Sequence, residues 1–156
     1  MDDNLRKMVK IRVASKKDLK DIVNIFNQAI CTRTSTGNLN EVTAEARKEW
    51  FSEHLQEKYP ILVAEKNDKI VGWISIDPYR KGREAFEKTV KVSCFVHTDY
   101  RRKGIGDQLL HVMMQTAKQL GYATIFAMVL DKNIGGRKLL EKIILNNGLF
   151  YQMSQR

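Results

Sequence analysis

Apolar and polar positions follow two rhythms along this chain. Met8 to Val13 alternates apolar and basic residues, the period-two pattern of a short strand. Ser15-Lys16-Lys17-Asp18 has the spacing of a capping box, and Leu19, Ile22, Val23, Phe26 and Ala29-Ile30 follow at helical spacing. Thr32 to Asn40, rich in Thr, Ser, Asn and Gly, reads as a loop. Thr43 can cap a second helix with Ala46, Trp50 and Leu55 on its apolar face. Ile61 to Ala64 is a compact apolar strand, Asn67-Asp68 a turn, and Ile70 to Ile76 the returning strand.

Asp77 to Lys88 is a polar, basic connection, and Val90 to Val96 is the next strand. Gly106 to Leu120 reads as a helix that buries Leu109, Leu110, Met113, Met114 and Ala117 and stops at Gly121. Thr124 to Leu130 is a further strand, Ile134 to about Leu145 a last helix ended by Asn147-Gly148, and Leu149 to Met153 a final strand. Three consecutive strands with no helix between them imply an antiparallel meander. The strand-helix-strand unit after them implies a parallel pair with a right-handed crossover. The expected fold is α/β: a mixed, mostly antiparallel twisted sheet with helices on both faces.

Composition narrows the class. The chain has 156 residues, which at this length is one domain, with residues 1–8 a loose basic lead-in. Hydrophobic and charged fractions of 43% and 29% are those of a soluble globular protein. No apolar run approaches the ~20 residues of a membrane span, and the first residues lack a signal-peptide core, so a cytoplasmic protein with no membrane partner is expected. Cys31 and Cys94 lie far apart, and His54, His97 and His111 form no cluster, so no metal site is expected. The net charge of +9 favours anionic partners. Nucleic acid and a phosphorylated cofactor are the candidates; because the excess is spread along the chain, a lysine-rich solvated surface is the alternative to either.

Candidate chemistry gathers where the third meander strand runs into Arg101-Arg102-Lys103-Gly104-Ile105-Gly106 and then a helix. A helix N-terminus has unpaired amides and the positive end of the dipole, glycines allow close backbone approach, and the three cations add charge. Neither a P-loop nor a dinucleotide-binding fingerprint is present.

Arg101-x-x-Gly104-x-Gly106 resembles the Gln/Arg-x-x-Gly-x-Gly/Ala signature of the GNAT superfamily of acetyl-CoA-dependent N-acetyltransferases. The likeness extends to the phosphinothricin and methionine-sulfone acetyltransferase branch through "IFNQAI" at Ile25–Ile30, Arg47, Trp50-Phe51, "ILVAE" at Ile61–Glu65, "VGWIS" at Val71–Ser75, Pro78-Tyr79-Arg80 and "FVH" at Phe95–His97. The resemblance implies acetyl-CoA as co-substrate, a small amino-acid-like amine as acceptor, and direct transfer without a covalent intermediate. It implies that Phe95, Val96 and His97 hold the pantetheine arm and polarise the acetyl carbonyl. It implies that Arg101, Arg102, Lys103, Gly104, Ile105, Gly106 and Asp107 cradle the pyrophosphate and that Asn133 contacts the arm. Arg80, Arg83, Phe86 and Lys91 would face the substrate.

The chain also departs from that branch. The branch carries glutamate, its expected base, where this chain has Lys91, so Glu87, Glu84 and Asp77 become the candidates for that role. Leu140 stands where many superfamily members place an acidic tyrosine, and Gly136 where the branch has serine. The tail after Gly148 leaves room for at most one more strand, so the sheet is expected to lack the branch's final strand or to be completed by a partner chain in a homodimer. Lys91 and the short tail keep a second reading open, an acetyl-CoA-binding protein with little or no catalysis.

Overall fold

The computed structural model describes residues 9–32, 36, 40–130, 132–147 and 150–154, with the backbone alone described at 130, 142–147 and 150–154. The expected lead-in, most of the Thr32–Asn40 loop and the stop at Gly148 therefore lie outside the described residues. Six strands and four helices follow in the order β1 (Lys10–Val13), α1 (Leu19–Thr32), α2 (Ala44–His54), β2 (Ile61–Lys66), β3 (Lys69–Pro78), β4 (Thr89–Val96), α3 (Ile105–Gln119), β5 (Thr124–Leu130), α4 (Ile134–Asn147) and β6 (Phe150–Ser154). They form one sheet in the order β1-β2-β3-β4-β5-β6. The first four strands pair antiparallel, and β4 with β5 and β5 with β6 pair parallel.

The sheet is buried on both faces, which is why β2 reads as a continuous apolar run. Leu62 and Ala64 pack with Ile105, Leu109, Leu110 and Met113 of α3, whereas Ile61 and Val63 pack with Ile22, Ile25, Phe26 and Ile30 of α1. Gly72 is needed where α3 crosses the sheet, because a Cβ there would sit 3.2 Å from Ile105 Cγ2, Leu109 Cδ1 and the Phe95 carbonyl.

Two expectations are corrected. Of the expected face of α2, Trp50 and Leu55 pack half-buried against the core but Ala46 is exposed, and the fully buried residues are Phe51 and His54. Its apolar stripe is short, and the helix buries a histidine that finds polar partners. In addition, β3 does not end at Ile76. It continues to Pro78, with Asp77 paired to Lys91 and Pro78 to Val90. Asp77 is therefore a strand residue with a fixed direction, not part of the connection, because pairing with β4 holds the backbone extended beyond the apolar run.

Candidate active site

β4 and β5 share a ladder only over Thr89–Val92 and Thr124–Ala127. Both strands continue, to Val96 and Leu130, so they part like a wedge. The alternation of an antiparallel pair tells which β4 groups face the gap. His97 N–H donates to Val71 O at 2.8 Å, and Tyr79 N–H donates to Thr89 O at 3.2 Å, so odd-numbered β4 residues address β3. The backbone groups of Cys94 and Val96 therefore point toward β5 and into the gap. Val96 O accepts Arg101 Nε–H at 3.3 Å, which ties the basic turn to the strand end.

The wedge opens into a cleft of about 500 Å³ between the β4 end and the first turns of α3 and α4, with an adjoining part of about 190 Å³ toward Lys91 and Ser93. Cys94, Phe95, Asn133, Gly136 and Leu139 line both parts. The turn that starts α3 is sharply bent: Gly104, its N-cap, has φ 84°, and Arg102 has φ 61°. Both lie in the left-handed region, which glycine tolerates freely and arginine does not. The amides of Ile105, Gly106 and Asp107 begin the helix and have no intrahelical acceptor. At the other wall, Asn133 caps α4, its Oδ1 accepting Gly136 N–H at 2.9 Å. A Cβ at Gly136 would lie 2.7 Å from Asn133 Nδ2 and 2.9 Å from Val129 Cγ2, so glycine permits that cap.

Of the residues expected around a cofactor, Phe95, Val96, Arg101, Arg102, Gly104, Ile105, Gly106, Asp107 and Asn133 line the cleft. His97 and Lys103 do not. His97 is buried behind the turn, its Nδ1 accepting Asp99 N–H at 3.1 Å, and Lys103 is exposed. Cys94 was not among the expected residues, although its backbone faces the gap. The His97–Val71 bond fixes the parity: odd-numbered residues face β3, so Val96 and Cys94, at odd offsets from His97, face the gap.

Of the residues expected to face a substrate, Lys91 lines the smaller part of the cleft. Arg80 and Arg83 are exposed, the first with its guanidinium 4.6 Å from the Tyr79 ring centre. Phe86 packs edge-on to Tyr79 at 5.4 Å. Glu84 and Glu87 are exposed. Asp77 is half-buried, and its Oδ1 lies 2.7 Å from Nε2 of His54, a side chain only 5% exposed. His54 Nδ1 lies 2.8 Å from Trp50 O, so both ring nitrogens face acceptors, an arrangement that favours the imidazolium form. Burial alone would lower the His54 pKa, but the bonds to Asp77 and to the Trp50 carbonyl override it and hold the value above the usual histidine range. Burial likewise opposes ionisation of Asp77, yet His54 and the Trp50 indole hold its carboxyl below the usual range. Beneath this pair lies an aromatic floor. Trp73 is edge-on to Trp50 at 5.7 Å and packs against Phe95 at 5.1 Å, and Phe26 meets Phe95 at 5.2 Å. Arg47 lies over the Trp50 ring at 4.3 Å.

A parted parallel pair next to a basic, glycine-bent helix start is the cofactor-slot arrangement of acetyltransferases. The Acetyltransferase (GNAT) family profile matches residues 24–144, and the chain belongs to that family. YwnH of Bacillus subtilis, a proposed phosphinothricin acetyltransferase, is 37% identical over 85% of this chain and 80% of its own. The L-methionine sulfoximine/L-methionine sulfone acetyltransferase of Pseudomonas aeruginosa is 34% identical over 79% of this chain and 72% of its own. Among solved structures, a Salmonella typhimurium protein holding acetyl-CoA superposes with a TM-score of 0.81 at 28% identity, covering 87% of this chain and 78% of that one. Among the described residues, no group of three or more His, Cys, Asp or Glu could hold a metal ion, and no helix is long and apolar enough to cross a membrane.

Proposed function

We propose that this protein transfers the acetyl group of acetyl-CoA to the primary amine of a small amino-acid-like acceptor of the methionine sulfone or phosphinothricin type. The observation that carries the proposal is the parting of β4 from β5 beside the Arg101–Gly106 turn. A slot with outward-facing strand amides on one wall and a glycine-bent helix start at its mouth fits a long, amide-bearing arm that ends in phosphates. The names of the relatives at 34–37% identity support the acceptor class.

Backbone groups of Cys94 and Val96 pair with the arm. Amides from Ile105 to Asp107, with Arg101 and Arg102, neutralise the pyrophosphate. Acetyl-CoA, when bound, supplies the activated thioester. The Cys94 and Val96 N–H groups are the donors for a carbonyl in the gap, fixed before any charge develops on it. Burial pushes the Cys94 thiol pKa up to about 12, which disfavours a thiolate carrier and fits direct attack by the amine. Leu140, buried on the α4 wall, has no proton to offer a leaving thiolate.

Two finer features belong to this reading. The outer edge of β6 pairs with nothing among the described residues, which supports a homodimer closed along that edge. The Cys94 thiol, which makes no disulfide, and an intracellular co-substrate support a cytoplasmic location.

Calorimetric titration with acetyl-CoA and thiol release with methionine sulfone test the main claim. Saturable binding and amine-dependent thiol release are expected. Absence of binding refutes the claim. Binding without turnover across a panel of amines would favour the second reading, a cofactor-binding protein stalled by Lys91.

A further inference from the structure

Three carboxylates compete for a role on the acceptor side, and their placement separates them. Glu84 and Glu87 are exposed in the turn Glu84–Phe86 and just after it. Asp77 is a β3 residue in register with Lys91 of β4. Directly paired residues share a face of the sheet, so these two side chains rise on the same side about 5 Å apart at their bases. That side is the one under α1 and α2, because His54 of α2 reaches Asp77 and the next-but-one pair, Trp73 and Phe95, packs on Phe26. Lys91 lines the cleft where β4 and β5 are about to part, and among the described residues it makes no ion pair.

Between the charged pair and the aromatic floor lie Ser75 and Ser93, also directly paired. Ser93 lines the cleft, whereas Ser75 Oγ is buried with no hydrogen-bond partner among the described residues. A hydroxyl left unsatisfied inside a sheet is costly and calls for a ligand or water. A carboxylate, an ammonium and an orphan hydroxyl thus stand on one face of the sheet, and of these positions Lys91, with the neighbouring Ser93, lines the smaller part of the cleft. The charged groups around Asp77 are His54 and Arg47 from α2 and Lys91 from β4, with Trp50 donating from α2 and Tyr79 just after the end of β3. His54 and Trp50 occupy one side of the carboxylate. A carboxylate offers about four lone-pair directions, so others are left for a ligand.

We propose that Asp77 and Lys91 form a cross-strand couple that reads both charges of a zwitterionic acceptor, Asp77 receiving the ammonium and Lys91 the acid group. His54 is the positioning residue that holds Asp77 ionised and correctly turned. The inference rests on the acetyl-transfer reading above and adds the residues that select the acceptor. Lys91, at the position where a base was expected, then selects the substrate and does not mark a defect.

The test compares steady-state kinetics on methionine sulfone with those on its decarboxylated counterpart, 3-(methylsulfonyl)propylamine, while acetyl-CoA affinity is measured separately by calorimetry. Lys91→Met is expected to raise KM for the amino acid about tenfold more than for the amine, the worth of one charge-assisted hydrogen bond. Asp77→Asn is expected to raise KM for both, since both carry an ammonium. Acetyl-CoA affinity is expected to hold in each variant. In His54→Gln the carboxyl loses its cation, its pKa rises, and the low-pH limb of kcat/KM moves to higher pH, a shift that a purely structural role would not produce. Should Asp77→Asn fail to fold, Asp77→Glu keeps the charge and is expected to retain the preference for the amino acid.

Equal effects of Lys91→Met on the two amines, a gain of activity in Lys91→Glu, or an unmoved pH limb in His54→Gln would each overturn the couple and leave the transferase reading standing. A wild-type protein that binds acetyl-CoA yet acetylates neither amine would remove both.

Discussion

At the turn-and-helix end of the cleft, from Arg101 to Asp107, the groups that face a ligand are mostly backbone amides. At the sheet end, around Asp77 and Lys91, they are side chains drawn from α2, β3 and β4. The first end is local: one stretch of seven residues supplies the bend, the helix start and the charge. The second is assembled from positions as far apart as His54 and Lys91. A backbone site tolerates many side chains provided none intrudes. A side-chain site depends on each identity and on the shell behind it. The co-substrate half of the enzyme should therefore be sensitive to added bulk, and the acceptor half to removed charge or packing.

Four experiments sharpen or break that contrast. The largest effect is expected for Trp73→Ala, which removes the floor of the acceptor half. Trp73 is 2% exposed and its indole N–H donates to Ile22 O at 3.0 Å. The loss should be about 3–5 kcal/mol in unfolding free energy, read from the denaturant midpoint. A cost under about 1 kcal/mol would mean that the floor is not a packed unit.

His54→Ala comes next. Breaking a buried ion pair costs about 3–5 kcal/mol; because Asp77 is partly open to water, about 2 kcal/mol is expected here. The cost should depend on pH. The His54 pKa is raised above 6.5, so its contribution is full below that value and fades as pH rises through the folded-state pKa. The Asp77 pKa is lowered below 3.8, so its contribution is full above that value and is lost as pH falls through the folded-state pKa. The gap in stability between wild type and variant should therefore be widest between the two ordinary values and narrow at high pH. A gap that is flat with pH would show that the two groups do not interact as ions.

Gly106→Val probes the other half. A Cβ there would meet Leu139 Cδ2 at 3.2 Å and Val96 Cγ2 at 3.7 Å, at the wall of the slot. Affinity for acetyl-CoA should fall about tenfold, or ~1.4 kcal/mol, with the pH behaviour of the acceptor side unchanged. Unaltered affinity in calorimetry would place the cofactor elsewhere. The smallest effect is expected for Arg102→Gly, which relieves a left-handed backbone at φ 61° and removes one cation from the cleft. Stability should rise by about 0.5 kcal/mol, while acetyl-CoA binding weakens and becomes less salt-dependent.

Much of the fold was legible because its signals are periodic. Ile22, Phe26 and Ile30 repeat at helical spacing and are buried on one face of α1, and the meander of β2 to β4 follows from runs broken by turn residues. The basic turn was legible too, since its bend, its glycine and its charge are consecutive. The face of α2 was misread because that helix has little amphipathic signal and buries His54 in place of an aliphatic residue. Asp77 was assigned to a connection because a carboxylate before proline looks like a loop start, and only pairing with Lys91 carries the strand across it. Cys94 was overlooked for a similar reason: whether its amide or its neighbour's faces the slot depends on the parity fixed by His97 and Val71.

By itself the sequence determined the order of strands and helices, the two-sided burial of the sheet and the basic, glycine-bent turn after β4. Each of these follows from local propensity and from contacts a few residues long. The tertiary structure decided where β4 and β5 separate, which amides that separation leaves unpaired, and that His54, Asp77, Ser75 and Lys91 meet on one face. Such features depend on register between distant segments. A shift of one residue in a strand turns every side chain to the opposite face, and no local pattern in the chain records that choice.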